Sequence, residues 1–155
     1  MVANRIRIAR DKANLMQNLL ATGSNKGPFQ TYADAVVFAA SLGIKHGRKT
    51  PLEVISTREP GPISWEIFAS RGYDPVIRLI AIAHTQELEI LSSFNPRHEE
   101  QRLRIFEEYA NGGLEILRDE LRGAVDYTER ILLILSAERW KNIPQDEDFD
   151  LSRFL

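Results

Sequence analysis

The sequence predicts a mainly α, compact single-domain helical bundle. A nearly all-apolar segment from Tyr32 to Ile44 and an apolar stripe stepping by three or four from Leu103 to Ala124 are the first two grounds. The third is a helix-start signal ahead of each, Thr31 and Asn95-Pro96. A helix that is apolar on every side has no face to offer water and must be buried. The length of 155 residues fits one domain with a sizeable core. Residues 1–143 are taken as that domain, with a basic part at 1–50, and residues 144–155 as an acidic tail with interleaved hydrophobes.

Arg5-Ile6-Arg7-Ile8 alternates as a short half-buried strand does, and is also short enough to lead into a helix. From Asp11, the residues Leu15, Met16, Leu19 and Leu20 fall at helical spacing, with Gly23 as the stop. Thr31 is the N-cap of the apolar helix, with Asp34 three positions on in a capping-box-like arrangement. Pro51, Pro60, Gly61 and Pro62 make a connection, after which Ser64 caps a short helix carrying Trp65, Ile67 and Phe68. Asp74-Pro75 reads as N-cap plus first-turn proline of a second buried helix holding Val76, Ile77, Leu79, Ile80 and Ile82. Asn95-Pro96 starts a long amphipathic helix with Gly112-Gly113 inside it. Two interior glycines either permit close packing or break the helix, since each costs about 1 kcal/mol relative to alanine. Asp126 caps the last helix, whose inward residues are Tyr127, Ile131, Ile134 and Leu135.

Composition removes several function classes. Hydrophobic content of 43% and charged content of 27% suit a globular protein. No apolar run approaches the roughly 20 residues that span a bilayer, so no membrane partner is expected. The start MVANRIRIAR lacks the apolar stretch of a signal peptide, and the chain has no cysteine, which makes the cytoplasm the expected compartment. His46, His84 and His98 are not paired at metal-ligand spacing, and no H-E-x-x-H appears. His84 is expected to be a satisfied polar group. Gly23 to Gly27 lacks the spacing of a phosphate loop. The acids Glu99, Glu100, Glu107 and Glu108, interspersed with Arg97, Arg102 and Arg104, read as a solvated helix face of Glu–Arg pairs. No metal or other cofactor is expected, and no catalytic constellation stands out.

The net charge of -2 hides a polarity: residues 1–50 carry eight Lys or Arg against two acids, residues 51–155 twelve against twenty. If Arg5, Arg7, Arg10 and Lys12 converge with Lys45, Arg48 and Lys49, they form a phosphate-attracting patch. The alternative is that these cations pair with the acidic remainder of the chain. The sequence does not separate the two. In the tail, Phe149, Leu151, Phe154 and Leu155 alternate with acids and suit docking on a partner or on the domain itself.

A family likeness rests on Pro28-Phe29, Thr31-Tyr32-Ala33-Asp34, Phe38-Ala39-Ala40, Leu42-Gly43, His46-Gly47-Arg48 and Pro51-Leu52, with the run Arg104 to Leu114 and the closing Phe149-Asp150-Leu151 and Phe154-Leu155. Across most of its length the chain resembles the DNA phosphorothioation-associated protein 4 family, also called Dnd-system-associated protein 4. The resemblance implies association with bacterial gene clusters that replace a phosphate oxygen of DNA with sulfur, or that restrict unmarked DNA. It implies no catalytic residue. The start also resembles a ribbon-helix-helix, although the loop from Thr22 to Gln30 is long for that motif. The expectation is a non-enzymatic accessory protein of such a modification, restriction and phage-defence system. It would hold the DNA backbone through Arg5, Arg7, Arg10, Lys12, Lys45, Arg48 and Lys49. A protein–protein adaptor, using Phe149, Leu151, Phe154 and Leu155 with the Trp65–Phe68 segment, is the alternative, and a small nuclease or hydrolase a minor third. A homo-oligomer stays open.

Overall fold

The computed structural model describes residues 4–22 and 26–141. In chain order these form β1 (Arg5–Ile6), a 3-10 turn (Arg10–Lys12) running into α1 (Ala13–Asn18), α2 (Tyr32–Lys45), β2 (Ile63–Ser64), α3 (Trp65–Ser70), α4 (Asp74–Thr85), a second 3-10 turn (Leu88–Leu91), α5 (Pro96–Glu120) and α6 (Tyr127–Lys141). The fold is mainly α with a short N-terminal strand. That strand pairs antiparallel with β2 of the same chain, Arg5 opposite Ser64 and Ile6 opposite Ile63. A ribbon-helix-helix strand pairs with its counterpart in a second chain, whereas here the strand's partner comes from the same chain. The 144–155 tail and the boundary before it lie outside the described residues.

The two helices read most firmly from sequence form the centre. Thr31 Oγ1 accepts from Asp34 N–H at 3.2 Å, satisfying one of the free donors at the start of α2. Ala33, Ala35, Val36, Ala39 and Ala40 of α2 are buried. Asn95 Oδ1 accepts from Arg97 N–H at 3.0 Å, and the first-turn Pro96 starts α5 where a missing N–H costs nothing. The most extensive contact among the described elements is α2 on α5. It is possible because glycines stand at the crossing. A methyl on Gly113 would strike the Ala39 carbonyl, one on Gly112 the Arg48 carbonyl, and one on Gly43 the Tyr109 carbonyl. Gly112-Gly113 therefore permits close packing and does not break α5. Around this seam Phe68 meets Phe106 edge-to-face at 5.8 Å between ring centroids, and Ile6, Met16, Leu19, Ile77, Leu117 and Leu121 complete the core.

Four local expectations need correction. First, α1 stops at Asn18, short of Gly23, because Leu19 to Ala21 pair with the backbone of Gly27 and Phe29. Phe29 N–H donates to Leu19 O at 3.0 Å and Ala21 N–H to Phe29 O at 2.7 Å. Second, Tyr73 caps α4, and Asp74 is its first residue, whose carboxylate takes Arg78 Nε at 2.7 Å one turn on. Third, α4 is buried on one side only, since Leu79 is exposed. Fourth, α6 buries Ile131 but leaves Leu135 exposed. Phe68 belongs to the core, so it offers nothing to a partner; of Trp65, Ile67 and Phe68 only Ile67 is exposed.

Gly113→Ala should cost about 3 kcal/mol or more and lower the melting temperature by roughly 10 °C, because a backbone carbonyl cannot swing aside. Gly61→Ala, with no close neighbour, should leave it within a degree or two. Thermal melts by circular dichroism compare them; equal melting temperatures would refute the role of the glycine seam.

Candidate functional site

The packing of α2 on α5 decides where the basic residues go. After α2, Gly47 takes φ +64°, a left-handed conformation suited to glycine, and the chain reverses along α5. Thr50 N–H donates to Glu108 O at 3.0 Å, and Asn111 Nδ2 donates to the Thr50 and Pro51 carbonyls at 3.2 and 3.3 Å. This lays the cationic exit of α2 against the acids of α5 and α6. Lys49 Nζ lies 2.8 Å from Glu108, Arg48 Nη2 2.7 Å from Glu115, and Lys45 Nζ 2.9 Å from Glu138. His46 approaches the same Glu138 at 3.8 Å. Lys45 beside it holds the Glu138 carboxyl below its usual range.

The N-terminal cations are handled in the same way. Lys12 is fully buried, with Nζ 2.9 Å from Asp11 and 3.8 Å from Glu115. An ammonium taken out of water must be paired, and here the partners come from its own turn and from α5. Arg7 Nε donates to Glu107 Oε2 at 2.8 Å. Arg5 and Arg10 have no ion pair among the described residues. Five of the seven cations singled out from sequence thus face a carboxylate within 4 Å. Glu115 is shared by Lys12 and Arg48, which draws the two basic segments to one place.

The acidic face of α5 departs from expectation. Arg104–Glu100 is a solvated i,i+4 pair, but Glu107 is only 4% exposed and is tied to the N-terminal strand region. Burial pushes its carboxyl up to about 7, with Arg7 pulling the other way. Arg102, also buried, donates to the Ile90 and Ser92 carbonyls at 2.6 and 2.7 Å and clamps the second 3-10 turn. A cavity of about 530 Å³ opens above Glu107, walled by Arg5, Arg7, Leu103 and Arg104. Three arginines and three glutamates in it balance in sign. A smaller cavity of about 260 Å³ holds Lys12 and Glu115 beside Asn111, whose Oδ1 is buried without a partner. His84 Nδ1 meets Tyr109 Oη at 2.8 Å, the satisfied role its position suggested.

A second polar cluster was not singled out beforehand. Asp34 accepts from Tyr73 Oη at 2.5 Å and from Arg71 Nε and Nη2 at 3.0 and 2.8 Å. Burial alone would raise the Asp34 carboxyl, but bonds from Tyr73, Thr31 and Arg71 outweigh it and hold it below its usual value. The cluster fastens the loop before α4 to the start of α2. Among the described residues, no group of three or more His, Asp or Glu could hold a metal ion. No described helix is long and apolar enough to cross a membrane.

Residues 5–154 match the model of the DNA sulphur modification system-associated protein 4 family. The chain belongs to that family. The match takes in nearly the whole sequence, with the α2 exit and α5 inside it. No curated protein and no solved structure matches the chain. Membership associates the protein with a DNA sulphur modification system.

The raised Glu107 gives a signed pH effect. A carboxyl whose folded pKa lies above its unfolded 4.5 favours the fold most when protonated, so its contribution falls as pH rises from about 4.5 to about 7. Asp34 and Glu138, held low, act in the opposite sense and only at more acid pH. Glu107→Gln should therefore remove on the order of 2–3 kcal/mol of the stability difference between about pH 5 and pH 8. Denaturant titrations at the two values measure it. An unchanged difference would mean the carboxylate is not strained by burial.

Proposed function

We propose that the protein is a non-catalytic accessory component of a DNA sulphur modification system that works by docking onto another protein of that system. The observation that carries this role is the internal engagement of its cations. Arg7, Lys12, Lys45, Arg48 and Lys49 face carboxylates of α5, α6 or their own turn. The more exposed pairs among them, at Lys45, Arg48 and Lys49, are each worth less than about 1 kcal/mol, so any one of these could be exchanged for a phosphate. Attraction of DNA depends on the summed field, and alternating signs at this spacing leave little of it. The contacts to the partner would come from Phe149, Leu151, Phe154 and Leu155, which lie outside the described residues. Restriction or phage defence would be the system's activity, to which this chain contributes assembly.

DNA-backbone binding is the second role. It is favoured by Arg5 and Arg10, which are exposed and carry no carboxylate partner among the described residues. Co-purification from the native host separates the two. Deleting residues 145–155 should abolish recovery of a larger protein of the system, leave the melting curve unchanged, and do so with or without nuclease. Partners released by nuclease alone would overturn docking in favour of DNA. A truncated protein that unfolds would assign the tail to the fold.

A further inference from the structure

The last helix has two apolar sides, and only one is used. Ile131 is buried against the body, with Tyr127, Ile134 and Glu138 on the same side. Lys45 to Glu138 and Arg130 Nε to the Glu120 carbonyl at 3.0 Å fix that side in place. At 100° per residue, Glu129, Leu132, Leu133, Ser136 and Trp140 then point the opposite way, with Arg139 at its margin, while Leu135 lies only about 40° round from Ile131. Leu132, Leu133 and Trp140 are between 56% and 71% exposed. Large apolar residues singly exposed are ordinary, but three along one face of a helix make a contiguous strip. The strip has one acid at its N-terminal end and one base at its C-terminal end. Neither Glu129 nor Arg139 has an ion-pair partner among the described residues.

We infer that this face of α6 pairs antiparallel with the same face of a second copy of the chain. Centred on residue 134, an antiparallel pair sets Glu129 of one copy opposite Arg139 of the other. It also sets Leu132 opposite Ser136 and brings Leu133 of the two copies side by side next to the axis. A two-fold axis repeats each contact, so both ends gain an ion pair and the middle a leucine cluster. Self-complementary charge is what distinguishes a second copy from an unrelated apolar partner. Parallel pairing would put Glu129 against Glu129 and Arg139 against Arg139. A fifteen-residue helix is about 22 Å long, so its face buries less than the roughly 800 Å² per partner of a standard interface. The dimer is accordingly weak and concentration-dependent. It occupies a surface separate from the α2 exit, and stands whichever protein or nucleic acid the chain serves.

Sedimentation equilibrium of the full chain from low to high micromolar concentration tests it. Wild type should pass from monomer to dimer across that range. Leu133→Glu and Glu129→Arg should each weaken association at least about tenfold with unchanged melting curves. The double variant Glu129→Arg with Arg139→Glu should restore it. A wild type that stays monomeric throughout would overturn the proposal, leaving the strip to the chain's own tail or to another protein. Association that is untouched by Leu133→Glu, or a charge swap that fails to restore it, would overturn it equally.

Discussion

The rest of the molecule depends on the close approach of α2 and α5. Gly43, Gly112 and Gly113 let two backbones meet where a single methyl would force them apart. Glycine in a helix interior is unfavourable by itself, and burial of the α2 alanines and valines against Phe106, Ala110, Leu114 and Leu117 offsets it. At wider spacing the loop after α2 would not run along α5, and Thr50 and Pro51 would lose Asn111. The same seam sets the electrostatics. Arg48 and Lys49 follow α2 directly, so fixing the two helices fixes which carboxylates those cations meet.

Much of this was legible in the sequence because the signals were local. Thr31 with Asp34, Asn95 with Pro96, and Asp126 ahead of Tyr127 are cap signals that need no knowledge of the tertiary fold, and each marks an observed helix start. The misplaced end of α1 has the opposite cause. Gly23 is a fair stop signal, but Leu20 and Ala21 are claimed earlier by bridges to Phe29 and Lys26. Leu135 has the apolar character of an inward residue; α6 simply has more apolar surface than its docking side can cover.

The candidate site was legible as a set of cations and illegible as a set of partners. The polarity between the two halves showed that positive charge gathers near α1 and α2. Which acids meet it depends on rotation of α5 about its axis, and that is set by the glycines. One signal was present: Glu107, Asn111, Glu115 and Asp119 recur every four residues beside Gly112-Gly113, so the stripe flanking the close contact is acidic. Taking the Glu–Arg spacing of α5 as a solvated face hid the burial of Glu107 and Arg102, because i,i+4 complementarity looks the same whether the face is wet or covered. Family membership gives the context of DNA sulphur modification. The balanced charges give a reason to look for a protein partner within it.

The central claim is that Arg7, Lys12, Lys45, Arg48 and Lys49 are held by the chain's own carboxylates, which leaves Arg5 and Arg10 of the basic N-terminal part to meet phosphate. The salt dependence of duplex DNA binding, followed by fluorescence anisotropy, measures this directly, since each neutralised phosphate adds about 0.9 to the slope of log affinity against log salt. With only Arg5 and Arg10 of those seven cations available, the patch should give a slope of no more than about 2, and Glu108→Gln with Glu115→Gln should steepen it by releasing Lys49 and Arg48. A wild-type slope near 6, as seven phosphate contacts would give, would contradict the account.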